Sequence, residues 1–122
     1  MSFYKYPVKD KHIRIYTEQE LNGEAIKTYK HPEGTTICAY ARQVRASEGN
    51  YDASIQNASL VEFAINKRNI QQDMFVEFLE DGKTYQIGPP DCFLFYNTEI
   101  KFQAKEVTPK TYDAIEYEDW LK

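Results

Sequence analysis

Met74-Phe75-Val76-Glu77-Phe78-Leu79-Glu80-Asp81-Gly82-Lys83-Thr84-Tyr85-Gln86-Ile87 decides the fold class. Two apolar runs, 74–79 and 84–87, flank Glu80-Asp81-Gly82-Lys83. Asp-Gly between such runs is a strong short-range hairpin signal, because the glycine supplies the positive φ that a tight reversal needs. Gly88-Pro89-Pro90 then stops the second arm, since proline cannot donate to a ladder.

The same period of two recurs on either side. Upstream, His12-Ile13-Arg14-Ile15-Tyr16-Thr17 puts Ile13 and Ile15 on one face. Glu18 to Gly23 reads as a connection ending in the turn pair Asn22-Gly23, and 25–29 as the return strand. His31-Pro32-Glu33-Gly34 breaks the pattern. The next strand spans 36–44, where Ile37, Cys38, Ala39, Tyr40 and Ala41 read either as burial on both faces or as small residues beside a close neighbour. At Leu60 the alternation resumes, with Val61, Phe63 and Ile65 set against Glu62, Ala64 and Asn66. Residues 91–97 are open between strand and turn. Glu99 to Lys105 alternates cleanly, with Ile100, Phe102 and Ala104 inward.

This layout predicts an all-β fold: a small β-barrel of about six or seven short antiparallel strands, with one long loop and a C-terminal tail. Residues 1–107 form the barrel domain. Residues 108–122 form an acidic, aromatic tail that either docks on a neighbour or packs on its own barrel. At 122 residues the chain suits one domain.

Residues 45–59, small and polar, lose the strand period. Structureless loops of this length are uncommon in compact domains and are often functional, and a short helix here stays open as the alternative. Aromatics reach 15% of the chain, a content that favours strands and protein interfaces. The formal net charge of −4 argues against a duplex-binding protein, which must displace counterions with Lys and Arg. No apolar run is long enough to span a bilayer as a helix, and Met1-Ser2-Phe3-Tyr4-Lys5 lacks a signal peptide's apolar core. A reducing cytoplasm is therefore expected, with Cys38 and Cys92 as buried free thiols.

No catalytic spacing appears. There is no phosphate-cradling glycine loop, no nucleophile elbow and no C-x-x-C. His12 and His31 lack the spacing that puts two ligands on one helical face, and zinc would need them to converge with both cysteines. The expectation is a protein that is not an enzyme and carries no cofactor or metal. Lys9, Lys11, Arg14, Arg42, Arg45, Lys67 and Arg68, interleaved with Tyr6, Tyr16 and Tyr40, leave open a single-stranded nucleic-acid-binding barrel, in which aromatics stack on bases.

Taken in order, these pieces resemble the head–tail joining (head-closure) family of tailed bacteriophages. Ile13-Arg14-Ile15 stands for the family's first strand, and Asn22-Gly23-Glu24-Ala25 for its short hairpin. Ala39-Tyr40-Ala41-Arg42-Gln43-Val44-Arg45 is the small-residue strand, residues 46–59 are the polar loop, and Val61-Glu62-Phe63-Ala64-Ile65 is the post-loop strand. The hairpin over 74–87 is the best local match, and 100–106 closes the layout. Tyr29 stands where tryptophan is common, and Gly88-Pro89-Pro90 and the acidic tail depart from the pattern.

The resemblance implies a virion protein of the neck, made in the host cytoplasm. It would form a ring of about twelve copies, each touching two neighbours. One ring face would meet the portal or its adaptor, and the other would receive the tail or its terminator. The loop would enter the channel, touch packaged double-stranded DNA transiently and hold it back. Its candidate gating residues are Arg45, Glu48, Gly49, Asn50, Tyr51, Asp52 and Ile55. Tyr4, Tyr6, Tyr112, Tyr117 and Trp120 are the candidate assembly contacts, because aromatics dominate interface energetics. No membrane contact is expected. A tail terminator or other neck or tail protein is the alternative within the same particle.

Overall fold

The computed structural model describes residues 9–44, 60–66, 70–71, 73–88, 94–96 and 99–118. Nine strands run in chain order as β1 (Lys11–Leu21), β2 (Glu24–Tyr29), β3 (Ile37–Val44), β4 (Leu60–Asn66), β5 (Phe75–Phe78), β6 (Lys83–Ile87), β7 (Leu94–Tyr96), β8 (Glu99–Val107) and β9 (Ala114–Tyr117). No helix occurs among the described residues.

Six strands close a ring in the order β3-β4-β8-β6-β5-β1, and a short pairing of β1 with β3 completes it. Every pairing within the ring is antiparallel. The remaining strands lie outside: β7 on β8, β2 on β1, and β9 on β2. The expected small all-β barrel of about six or seven antiparallel strands is therefore present: six strands close it, and β2, β7 and β9 are added outside.

Alternation explains the ring. Ile13 and Ile15 of β1, Phe63 and Ile65 of β4, Val76 of β5, Tyr85 and Ile87 of β6, and Ile100, Phe102 and Ala104 of β8 point inward and share one core. Phe63 is its aromatic centre, with ring centroids 5.4 Å from Phe78, 6.0 Å from Tyr85 and 5.7 Å from Phe102. Such edge and tilted contacts add to the area term of burial.

β3 corrects one expectation. It buries a single face: Ile37 and Ala39 are in the core, whereas Cys38 is exposed and sits opposite the exposed His12. The small residues that read as two-sided burial simply follow the pleat. Cys92 lies outside the described residues.

The connection before Asn22-Gly23 also differs. β1 continues through Glu18, Gln19 and Glu20 to Leu21, and the hairpin turns only at Asn22 (φ 53°) and Gly23 (φ 80°). Two successive positive φ values match the twist of the flanking strands and demand this Asn-Gly pair. β1 thus serves two structures. Residues 11–16 belong to the ring, and 16–21 pair with β2 in an arm beyond it.

Candidate functional site

Two regions outside the core carry chemistry, and the first is one end of the barrel. β3 runs antiparallel to β4, with Val44 and Leu60 as their last register pair. Residues 45–59 therefore leave and re-enter the barrel at neighbouring points. The β5–β6 turn lies at the same end, because β5 and β6 are joined there in antiparallel order. A cleft of about 200 Å³ opens among Ala41, Arg42, Val61, Phe78, Asp81 and Tyr85. Asp81 organises the turn: one carboxylate oxygen accepts the Lys83 N–H at 2.8 Å, and the other accepts the Tyr85 hydroxyl at 2.6 Å. Burial, and then the bond and charge of Asp81, push the Tyr85 phenol well above its ordinary range. Arg42 pairs with Glu62 across the β3–β4 ladder at 3.3 Å.

The gating residues expected from the sequence, Arg45, Glu48, Gly49, Asn50, Tyr51, Asp52 and Ile55, lie outside the described residues. Only the strand ends that deliver their loop are on view.

The second region is the outer face of the arm. The register sets Phe75 of β5 opposite Tyr16 of β1, Tyr16 opposite Tyr29 of β2, and Tyr29 opposite Tyr117 of β9. These aromatics form a row across four strands. Phe75 stacks on Tyr16 at 5.1 Å, Tyr16 meets Tyr29 edge-on at 5.7 Å, and Tyr29 stacks on Tyr117 at 5.3 Å. Cross-strand aromatic pairs are a main unit of sheet stabilisation.

Lys27 sits among these rings. Its ammonium lies 4.6 Å from the Tyr16 centroid, 5.3 Å from that of Tyr29 and 5.0 Å from that of Tyr112. It also reaches Glu77 at 2.7 Å, whose other oxygen accepts the Tyr29 hydroxyl at 2.7 Å. Burial pulls the ammonium pKa down, but the Glu77 bond and charge outweigh that and leave it above its ordinary value. Burial, then Glu77, raises the Tyr29 phenol; burial likewise raises Tyr16.

Residues 110–118 lie against their own chain, nearer the second of the two readings of the tail, but on the arm formed by β1 and β2 and not on the ring of strands. The Tyr112 ring meets Tyr16 edge-on at 5.9 Å and its hydroxyl donates to Glu18. Burial and then Glu18 raise that phenol strongly. Asp113 brackets Ala25: its N–H donates to the Ala25 carbonyl at 2.8 Å and its carboxylate accepts the Ala25 N–H at 2.9 Å. β9 then runs parallel to β2, and Lys30 pairs with Glu118 at 2.9 Å.

Of the candidate assembly contacts, Tyr112 is thus engaged within the chain. Tyr117 rests on Tyr29 yet keeps 38% of its surface exposed. Tyr4, Tyr6 and Trp120 lie outside the described residues. Tyr16, Lys27, Tyr29 and Glu77 were not singled out from the sequence as a cluster. The signal was present: a two-residue turn at Asn22-Gly23 fixes the register that pairs Tyr16 with Tyr29 and Glu18 with Lys27.

Among the described residues no group of three or more His, Cys, Asp or Glu side chains is placed to hold a metal ion. Fold and surface define a class: a closed six-strand antiparallel barrel with a strand-paired arm. Scans against known families, curated proteins and solved structures find no match.

Proposed function

We propose that this chain is a structural head-closure protein of a tailed bacteriophage, assembled as a ring beneath the portal or its adaptor. One observation carries the reading. A closed barrel presents residues 45–59 from adjacent strand ends, Val44 and Leu60, so that loop is held at one end of a rigid scaffold. That is the mechanical arrangement a channel loop needs: a root fixed on a rigid scaffold. The ordered resemblance across residues 10–107 supplies the biological context. The work is assembly, not catalysis. The ring retains DNA and offers the tail a docking surface, and a loop with Glu48 and Asp52 set against Arg45 would release DNA readily.

The test is binding of the purified protein to DNA-filled, tailless capsids, followed by imaging of the neck. A ring under the portal, with DNA retained, supports head closure. Deleting residues 48–57 should then let DNA escape. Binding to isolated tails in place of capsids moves the chain to the tail terminator. Salt-sensitive capture of a single-stranded oligonucleotide, with no capsid binding, supports the nucleic-acid barrel.

A further inference from the structure

The sheet that begins in the barrel stops at β9, and the outer edge of β9 has no strand partner among the described residues. Large apolar side chains gather there. Ile115 is 54% exposed and Tyr117 38%. Ile115 and Tyr117 lie on the face of the aromatic row, and Ala114 and Glu116 lie on the other face, as the pleat requires.

The charge around this edge is mixed, with a negative surplus. Lys30 is tied to Glu118, Lys110 to Glu18, and Lys27 to Glu77 behind the row. Glu20, Glu24 and Glu116 are all exposed and make no ion pair among the described residues. The surplus charge is therefore negative. It also works against self-pairing: two β9 edges brought together would set Glu116 and Glu118 of one copy beside those of the other.

We infer that the free edge of β9 is a strand-accepting docking site for an extended segment of a partner protein that alternates apolar and basic residues. The register gives this pattern its reason. A strand added to β9 would place one set of side chains beside Ile115 and Tyr117, lengthening the row that starts at Phe75. Its alternate set would fall beside Glu116. Main-chain bonds along the edge would give affinity, and the two faces would give selectivity. The inference concerns the arm alone and stands whether or not the chain closes a phage head.

The test uses the full chain, isotope-labelled, titrated with a blocked octapeptide of alternating lysine and valine. The control is the same peptide with glutamate for lysine. The amides of residues 114–118 should shift with the basic peptide and not with the acidic one. Ile115→Lys and Glu116→Lys, at exposed positions, should each weaken binding by about threefold to fivefold, the equivalent of one lost cross-strand contact. An unchanged spectrum elsewhere confirms that each variant is folded. Equal response to both peptides, shifts confined to other surfaces, or affinity unmoved by both variants would overturn the inference. So would concentration-dependent self-association that shifts the same amides without peptide, since the edge would then belong to a second copy.

Discussion

Replacing Lys27 with methionine keeps the apolar stem and removes the charge. Three interactions go together: the 2.7 Å pair with Glu77, the 3.3 Å contact with the Tyr29 hydroxyl, and the cation–π contacts with Tyr16, Tyr29 and Tyr112. The desolvated cation–π component is worth about 1–2 kcal/mol. Glu77 would retain the Tyr29 hydroxyl, and its side chain is 21% exposed, so water can reach it. That access discounts the cost of a stranded carboxylate to about 1 kcal/mol, below the figure for a fully buried pair. The components overlap, and the expected loss is about 2–3 kcal/mol, or a fall of about 10 °C in Tm for a domain of this size. Denaturant unfolding measures it, with Glu77→Gln and the double variant completing a cycle. The coupling energy should be about 1 kcal/mol or more, with the double variant less damaged than the sum. A Lys27→Met protein within about 0.5 kcal/mol of the parent would refute this account, because a surface substitution free of such partners does no more.

Alkaline pH should unfold the protein. Tyr16, Tyr29, Tyr85 and Tyr112 have phenol pKa values raised by burial and, except at Tyr16, by hydrogen bonds to carboxylates. A raised folded pKa favours the protonated form, so this stabilisation is complete below the unfolded value of about 10 and is lost as pH rises through the folded one. The raised Lys27 acts with the same sign. Ultraviolet titration should show these four tyrosines ionising only with unfolding, and ionisation of all ten near pH 10 in a folded protein would contradict this. Phe63→Ala empties the centre of the core and should cost about 3–5 kcal/mol by denaturant unfolding. Gly82→Ala meets no atom within 4 Å, so only its φ of 71° is penalised, and the same assay should show about 1 kcal/mol. In a Cys92→Ser background, Cys38 should react with a thiol reagent at a rate that denaturant does not raise appreciably, since it is already exposed.

The ring was legible because most of its strands alternate buried and more exposed positions; β4 departs from this, since Leu60 and Ala64 are buried on the face opposite Val61, Phe63 and Ile65. The Asp81-Gly82 and Asn22-Gly23 turns and the inward sets at 61–65 and 100–104 could be read from period two alone. The arm was harder for a physical reason. Beyond Tyr16, both faces of β1 carry polar residues, so Glu18, Gln19 and Glu20 resemble a connection although they are strand. β9 is four residues long with three of them exposed, and its Ile115-Glu116-Tyr117 alternation was diluted by the acidic tail around it. Cys38 was assigned to the core because its neighbours are small, although alternation from Ile37 and Ala39 already turned it outward. The aromatic row spans four strands and three registers, and only the Tyr16–Tyr29 rung follows from a local turn. The β9 rung depends on a parallel return that no local signal encodes.

One strand, β1, is held by β5 on one side and by β3 and then β2 on the other, without a break between ring and arm. A load applied at the arm tip would travel down a single covalent rail, shared with β2 alone along residues 17–21 and with β5 and β3 once it reaches the ring. The arm therefore acts as a lever fixed to the barrel wall, and anything seated on it takes its bearing directly from the axis of the ring of strands.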